Sequence, residues 1–185
     1  MNTPLNLLFD EIDTPLGPFA LVADLDGCLR ASGFTDGHAR MERQLADFSE
    51  SPGFSLARAP NPGGLSEAIT RYFAGDLAAI DCLPIVESGT QFQRAVWRAL
   101  REIPCGETWS YAQLAQHIGR PTSVRAVGLA NGANPVGVVV PCHRVIGANG
   151  ALTGYGAGLE RKRWLLAHEG HAYQGPTDSV YDVIR

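Results

Sequence analysis

Val136-Gly137-Val138-Val139-Val140 leads into a proline, and the proline into Cys142-His143-Arg144. Valine is β-branched, stiff at χ1 and well suited to a pleated surface, so the run from Val136 to Val140 predicts one buried strand. Pro141 has no N–H for a sheet ladder, so the strand must end there and its next residue must sit in a turn. The chain therefore delivers a cysteine, a histidine and an arginine together to a strand end. A thiol beside imidazole and guanidinium is expected to have a depressed pKa, and the thiolate is the nucleophilic form. Neighbouring side chains on an extended chain point to opposite faces, so His143 should reach Cys142 through a turn or a bridging water. Taken alone, the stretch fits equally well a small buried hydrophobe beside a satisfied core histidine.

The length of 185 residues allows one domain or two small ones with a real core, and 45% apolar and 18% charged residues are ordinary for a globular chain. The opening Met1-Asn2-Thr3-Pro4, with Asp10 and Glu11 close behind, lacks the blocks of a secretory signal, and no apolar run reaches membrane-spanning length. A cytoplasmic protein with no membrane association is expected. Cys28, Cys82, Cys105 and Cys142 stand far apart, without a CxxC pair or histidines at zinc-finger spacing, which predicts free thiols. Cys28 and His38 lack plausible third and fourth partners, so no metal site is expected.

The formal net charge of −4 conceals a division. Residues 1–89 carry 5 Lys+Arg against 13 Asp+Glu, net −8, whereas residues 90–170 carry 9 against 4, net +5. A basic half joined to an acidic half points to a polyanion as the partner of the second half.

In the first half, Phe19 to Ala23 and Cys28 to Ala31 flank Asp26-Gly27, a hairpin signal, after an entry turn at Thr14-Pro15-Leu16-Gly17. His38 to Phe48 has helical spacing, Phe54 to Ala59 reads as a strand, and Pro60 to Gly64 as a loop. Leu65 to Ala74 reads as a helix stopped by Gly75. Asp81 to Glu87 is expected to be extended and to link the halves.

In the second half, Thr90 caps an amphipathic helix to Ile103, with Phe92, Val96, Leu100 and Ile103 as its stripe and Arg94, Arg98 and Arg101 off it. Ser110 and Gln113 form a capping box for a short helix that stops at Gly119. Ser123 is expected to cap a second helix from Val124 to Ala130. Two short helices across a tight turn outline a helix-turn-helix, with Arg125 standing proud among the small residues Ala126, Gly128 and Ala130. A packed helical hairpin with a surface arginine has the same outline. Gly150 to Gly158 is glycine-rich but matches no phosphate-binding fingerprint. Glu169 falls in the last turn of a final helix, where the helix dipole disfavours an anion, so it is expected to have a partner, and His143 is the candidate.

Together these residues resemble the O6-alkylguanine-DNA alkyltransferases. The likeness is carried by Pro141-Cys142-His143-Arg144-Val145-Ile146. It extends in order through Phe92-Gln93, Val96-Trp97, Ile103-Pro104, Ser110-Tyr111, Arg125-Ala126-Val127-Gly128, Asn134-Pro135 and Leu159-Glu160-Arg161-Lys162. Thr14-Pro15-Leu16-Gly17 resembles the opening of the family's N-terminal domain. The resemblance implies an α+β fold: a small N-terminal α/β domain with an antiparallel sheet over 1–86, a mainly helical DNA-binding and alkyl-transfer domain over 87–172, and a tail over 173–185.

It also implies roles. Cys142 takes the alkyl group, His143 removes its proton through a water, Glu169 holds the imidazole, and Asn134 braces the turn. Tyr111 meets the guanine and the DNA backbone, and Arg125 replaces the extruded nucleotide in the stack. Tyr155, Val145 and Gly156 line the base pocket, while Ser123, Ala126, Gly128 and Asn131 are expected at the DNA or the base. The helix-turn-helix enters the minor groove. The implied partner is double-stranded DNA containing O6-alkylguanine, and O4-alkylthymine is a further candidate lesion. No cofactor and no obligatory protein partner are implied, and cooperative self-association on DNA stays open. Two positions depart from the family pattern: Ala157 interrupts the usual paired glycines and should narrow the pocket, and Ala133 stands where an arginine is common. A non-catalytic alkyl-base sensor or DNA-binding regulator has no need of the thiol at position 142. A cysteine hydrolase would need an oxyanion hole that nothing here supplies.

Overall fold

Asp26-Gly27 turns the chain as its chemistry demands. Gly27 takes φ +79°, and the Asp24 carboxylate accepts the N–H groups of Asp26 (3.1 Å) and Cys28 (2.9 Å). The turn joins β2 (Phe19–Ala23) to β3 (Leu29–Phe34) as an antiparallel hairpin in the computed structural model, which describes residues 4–47 and 53–171. Ahead of them β1 (Leu5–Ile12) pairs antiparallel with β2. α1 (His38–Asp47) then crosses the sheet to β4 (Phe54–Arg58), giving the order β3-β2-β1-β4. That crossover lays β4 parallel to β1, so one pair of the expected antiparallel sheet is parallel. The expected helix end at Phe48 lies outside the described residues.

β2 is buried along its whole length because both faces of the sheet are covered. Alternate residues point to opposite faces. Phe19, Leu21 and Ala23 join the large core with α2 (Leu65–Phe73), while Ala20 and Val22 pack with Met41 and Leu45 of α1. The large core runs on without a break into the C-terminal half, through Val96 and Leu100 of α3 (Gln91–Arg101), Leu114 of α4 (Tyr111–His117), Val127 of α5 (Val124–Gly132) and Leu165 of α6 (Leu159–His168). No helix among the described residues is long and apolar enough to cross a membrane.

The free edge of β3 stitches the halves together. Asp81 and Cys82, expected to be extended, form a turn, and the linker beyond them bonds to this edge through Leu29 N–H to Pro84 O (2.8 Å) and Val86 N–H to Leu29 O (2.9 Å). The arginines off the stripe of α3 hold the linker from the other side: Arg98 pairs with Glu87, and Arg101 donates to Asp81 O (2.7 Å). Capping boxes form at Thr90–Gln93 and Ser110–Gln113, as their sequences require.

Two expectations fail. Val136–Val140 is not a strand. Only Val136 bridges to Ser32, and the remainder coils into a buried turn in which Val140 N–H returns to Val136 O (2.9 Å). The cause is Asn134, whose amide accepts Val136 N–H (3.0 Å) and donates to Val140 O (2.8 Å), meeting backbone demands that a sheet would otherwise meet. Val138 is forced to φ +72°, a costly conformation for a β-branched residue, and is held there by complete burial. Ser123 makes no side-chain cap. Its N–H closes a backbone turn on Arg120 O (2.9 Å), and its carbonyl starts α5.

Candidate active site

The coiled valine segment ends at Pro141, and residues Cys142–Arg144 form a single 3-10 turn followed by β6 (Val145–Ile146), which pairs with β5 (Trp109–Ser110). Cys142 is 9% exposed. Burial pushes its thiol pKa up, and the Asn134 amide, with the charges of Lys162 and Arg40, offsets this only in part. The expectation of a depressed thiol pKa is therefore wrong for the resting protein. The guanidinium held responsible, that of Arg144, points away from the sulfur.

Arg144 turns instead to Glu169, the residue that closes α6. Its Nε donates to Oε2 (2.8 Å), its Nη2 to Oε1 (2.9 Å), and its Nη1 to Ile103 O (2.7 Å). His143 Nε2 bonds to the same Oε1 at 2.9 Å, so the partner expected for the misplaced carboxylate is the one found. A third donor comes from the other half of the chain: the Tyr72 hydroxyl on α2 reaches Oε1 at 2.7 Å. Burial pushes the Glu169 pKa up, but the bonds from His143 and Arg144 outweigh it and hold the carboxyl well below its usual range. His143 is fully buried, and burial lowers its pKa against the opposing pull of Glu169, so its imidazole is neutral. An ionised carboxylate can only accept, which places the ring proton on Nε2 and leaves Nδ1 as a bare acceptor. That Nδ1 is buried and has no partner among the described residues.

Cys142 opens onto a cavity of about 220 Å³ between the cysteine turn, the glycine-rich loop and the N-terminal part. Asn131, Asn134, Tyr155, Gly156, Ala157 and Arg40 line it. Asn131 is buried, with its Nδ2 toward Cys142 O (3.5 Å) and its Oδ1 lacking a partner among the described residues. Arg40, on α1, reaches over to Gly132 O and lies against Gly156, where a side chain on the loop would collide with its guanidinium. Below the cavity Lys162 is fully buried and staples β6 to the loop, donating to Val145 O (2.6 Å) and Thr153 O (2.8 Å). Burial lowers its ammonium to about 8.

The remaining expected residues lie elsewhere. Tyr111 opens α4, and its ring rests against Gly128 of α5 and not on the cavity wall. Val145 is buried on β6, outside the lining. Arg125 and Ala126 are exposed on α5 beside Leu129, which is 71% exposed, so this helix presents an unpacked face. Arg40, Tyr72 and Lys162 escaped the reading of sites. Lys162 alone left a trace, as a lysine inside the matched run on α6.

The segment 91–171 matches the family described as 6-O-methylguanine DNA methyltransferase, DNA binding domain. A methylated-DNA–protein-cysteine methyltransferase of Salmonella typhimurium is 54% identical over 167 residues, covering 90% of this chain and 98% of that one. This chain belongs to the methylated-DNA–protein-cysteine methyltransferase family. Its activity is thereby alkyl transfer in DNA repair. The same family supplies a relative in Mycobacterium tuberculosis at 45% identity, covering 87% of this chain and 91% of that one. The crystal structure of M. tuberculosis OGT in complex with DNA superposes with a TM-score of 0.70 at 38% identity, covering 89% of this chain and 92% of that one.

Proposed function

We propose that Cys142 accepts the alkyl group of O6-alkylguanine from double-stranded DNA, once and irreversibly. The observation that carries this reading is a cysteine on a cavity wall with a buried imidazole–carboxylate pair immediately behind it. Burial keeps both thiol and imidazole neutral at rest, so the thiolate is made when needed. His143 Nδ1 takes the thiol proton, through a water, and the imidazolium is steadied by Glu169. The sulfur then displaces the base in line at the saturated carbon: the S–C bond forms, the C–O6 bond breaks, and the departing guanine takes up a proton. The thioether has no leaving group comparable with guanine, which makes the reaction single-turnover.

A base inside a duplex is out of reach, so the nucleotide must flip out, at a cost of a few kcal/mol. Arg125, exposed on α5, suits the place left in the stack, with Ser123, Ala126 and Gly128 allowing close approach in the minor groove. Tyr111, beside Gly128, is assigned to the DNA backbone and the edge of the base. Asn131 Oδ1, an unsatisfied acceptor in the cavity, suits the exocyclic amine of guanine. O4-alkylthymine has no such amine, which makes it the poorer substrate. Asn134 braces the turn, and Tyr155 and Gly156 complete the pocket with backbone and ring surface, while Val145, outside the lining, supports it through its carbonyl bond to Lys162. We read residues 1–86 as a support unit, 87–172 as the DNA-handling unit, and the cytoplasm as the place of action; the tail over 173–185 lies outside the described residues, whereas His171 is tied by its N–H to Leu166 O (2.8 Å).

Intact-mass measurement after incubation with an O6-methylguanine duplex tests the proposal. The expected result is a gain of one methylene per chain, located on Cys142 and absent in Cys142→Ala. Tight binding with no change in mass would show a lesion sensor instead.

A further inference from the structure

Glu169 Oε1 receives three donors, and they come from separate parts of the chain: His143 and Arg144 from the cysteine turn, and Tyr72 from α2, 97 residues away. Tyr72 is fully buried and held twice by the end of α6. Its hydroxyl meets Glu169, and its carbonyl meets Nε2 of the preceding residue, His168, at 2.7 Å, with the two rings 5.2 Å apart edge to face. A tyrosine on this face of α2 satisfies the apolar pattern no better than a phenylalanine would; the hydroxyl has its own partner, and that partner is the carboxylate behind the base. We propose that Tyr72 is a positioning residue for alkyl transfer: its hydroxyl fixes the Glu169 oxygen bound by His143 and draws charge from it, setting the pH at which His143 can take the Cys142 proton. The N-terminal part thus completes the catalytic relay. This rests on the reading of His143 as the base.

The physical argument is one of competition. A carboxylate oxygen that accepts a short hydroxyl bond has less charge to offer the imidazolium. Removing the hydroxyl strengthens the pull of Glu169 on the His143 ring proton and makes the imidazole more basic. The other groups facing this network are Arg144 on the cysteine turn, Cys105 beyond α3, Lys162 and His168 on α6, Tyr155 on the glycine-rich loop, Asp81 on the linker and Cys142 itself. Tyr72→Phe leaves all of them in place. It also keeps the ring that packs on Phe73 and His168.

The test is the single-turnover rate of methyl transfer from an O6-methylguanine duplex, followed from mildly acid to mildly alkaline pH, for the full chain and Tyr72→Phe. The expected result is an acid limb displaced upward by about one pH unit, with the two rates converging in alkali and DNA affinity unchanged. In parallel, the ¹⁵N-labelled His143 ring should titrate higher in Tyr72→Phe by the same interval. Superposable profiles and titrations overturn the proposal. So does a uniform fall in rate at every pH accompanied only by a lower melting temperature. If the unmodified chain transfers no methyl group, the proposed function fails, and the ring titration still decides whether Tyr72 governs His143.

Discussion

Glu169→Gln is the substitution that most directly tests the buried network. It keeps the shape of the side chain and removes only its charge. Whichever way the amide turns, its NH₂ group meets a donor. At the Oε1 position it would face Tyr72, His143 and Arg144, and at Oε2 it would face Arg144 Nε, so it settles at Oε2. Arg144 is then a guanidinium with 4% exposure and no counter-charge. Removing one partner of a buried pair costs about 3–5 kcal/mol, and a chain of this size loses about 2–4 °C per kcal/mol, so the melting temperature should fall by roughly 6–20 °C. Adding Arg144→Met removes the stranded charge. The double variant should therefore be more stable than the sum of the two single losses by at least ~1 kcal/mol. Methyl transfer near neutral pH should fall by roughly 100-fold, because the imidazolium loses its counter-charge.

The pH dependence has a defined sign. The Glu169 carboxyl is held below its ordinary range in the folded state, so its contribution is present above that range and is lost as pH falls through and below it. Glu169→Gln has no such group, so the stability gap between the two proteins should shrink steadily in acid. Thermal melts by circular dichroism over a pH series measure all of this. A variant melting within about 2 °C of the parent at neutral pH, or a gap that widens in acid, would refute the assignment of Glu169 as the ionised hub.

Lys162 has a linkage of the same sign at higher pH, because burial disfavours its charged form. Its folded value of about 8 lies below the free value of 10.5, so between these limits the folded state sheds its proton first and stability rises with pH. Relative to Lys162→Met, the parent should gain on the order of 3 kcal/mol across that interval, measured by urea unfolding at successive pH values. Arg125→Ala should slow repair of O6-methylguanine in duplex DNA at least ~10-fold while leaving reaction with the free base nearly unchanged; equal losses on both substrates would count against a role in flipping. Gly63→Ala should lower stability by about 1–3 kcal/mol, since φ there is +59° and the added Cβ would lie 2.8 Å from the Gly27 backbone. Unchanged melting would mean that this close approach is not maintained in solution.

What the residues disclosed in advance, and what they did not, divides along the distance over which each contact acts. Asp26-Gly27, the Thr90 cap, and Ser110 with Gln113 each settle their own structure within four residues, and each formed as expected. Glu169 was legible because a carboxylate at the wrong end of a helix advertises a missing partner. The valines misled because β propensity presumes a strand to pair with; here an asparagine side chain took over the backbone bonds, and Ser32 O lies 3.1 Å from where a Cβ on Gly137 would sit. Sequence adjacency likewise put a guanidinium beside the thiol, whereas a 3-10 turn sends Arg144 away from it to the carboxylate. Tyr72 lies inside the stretch that reads as a helix from Leu65 to Ala74, and nothing near it in the chain shows that its hydroxyl will meet Glu169. The reactivity of Cys142 belongs with these hidden features. Burial raises the thiol pKa, and burial is decided by every segment that closes over the sulfur, which is why a base behind the cysteine matters more here than a charge beside it.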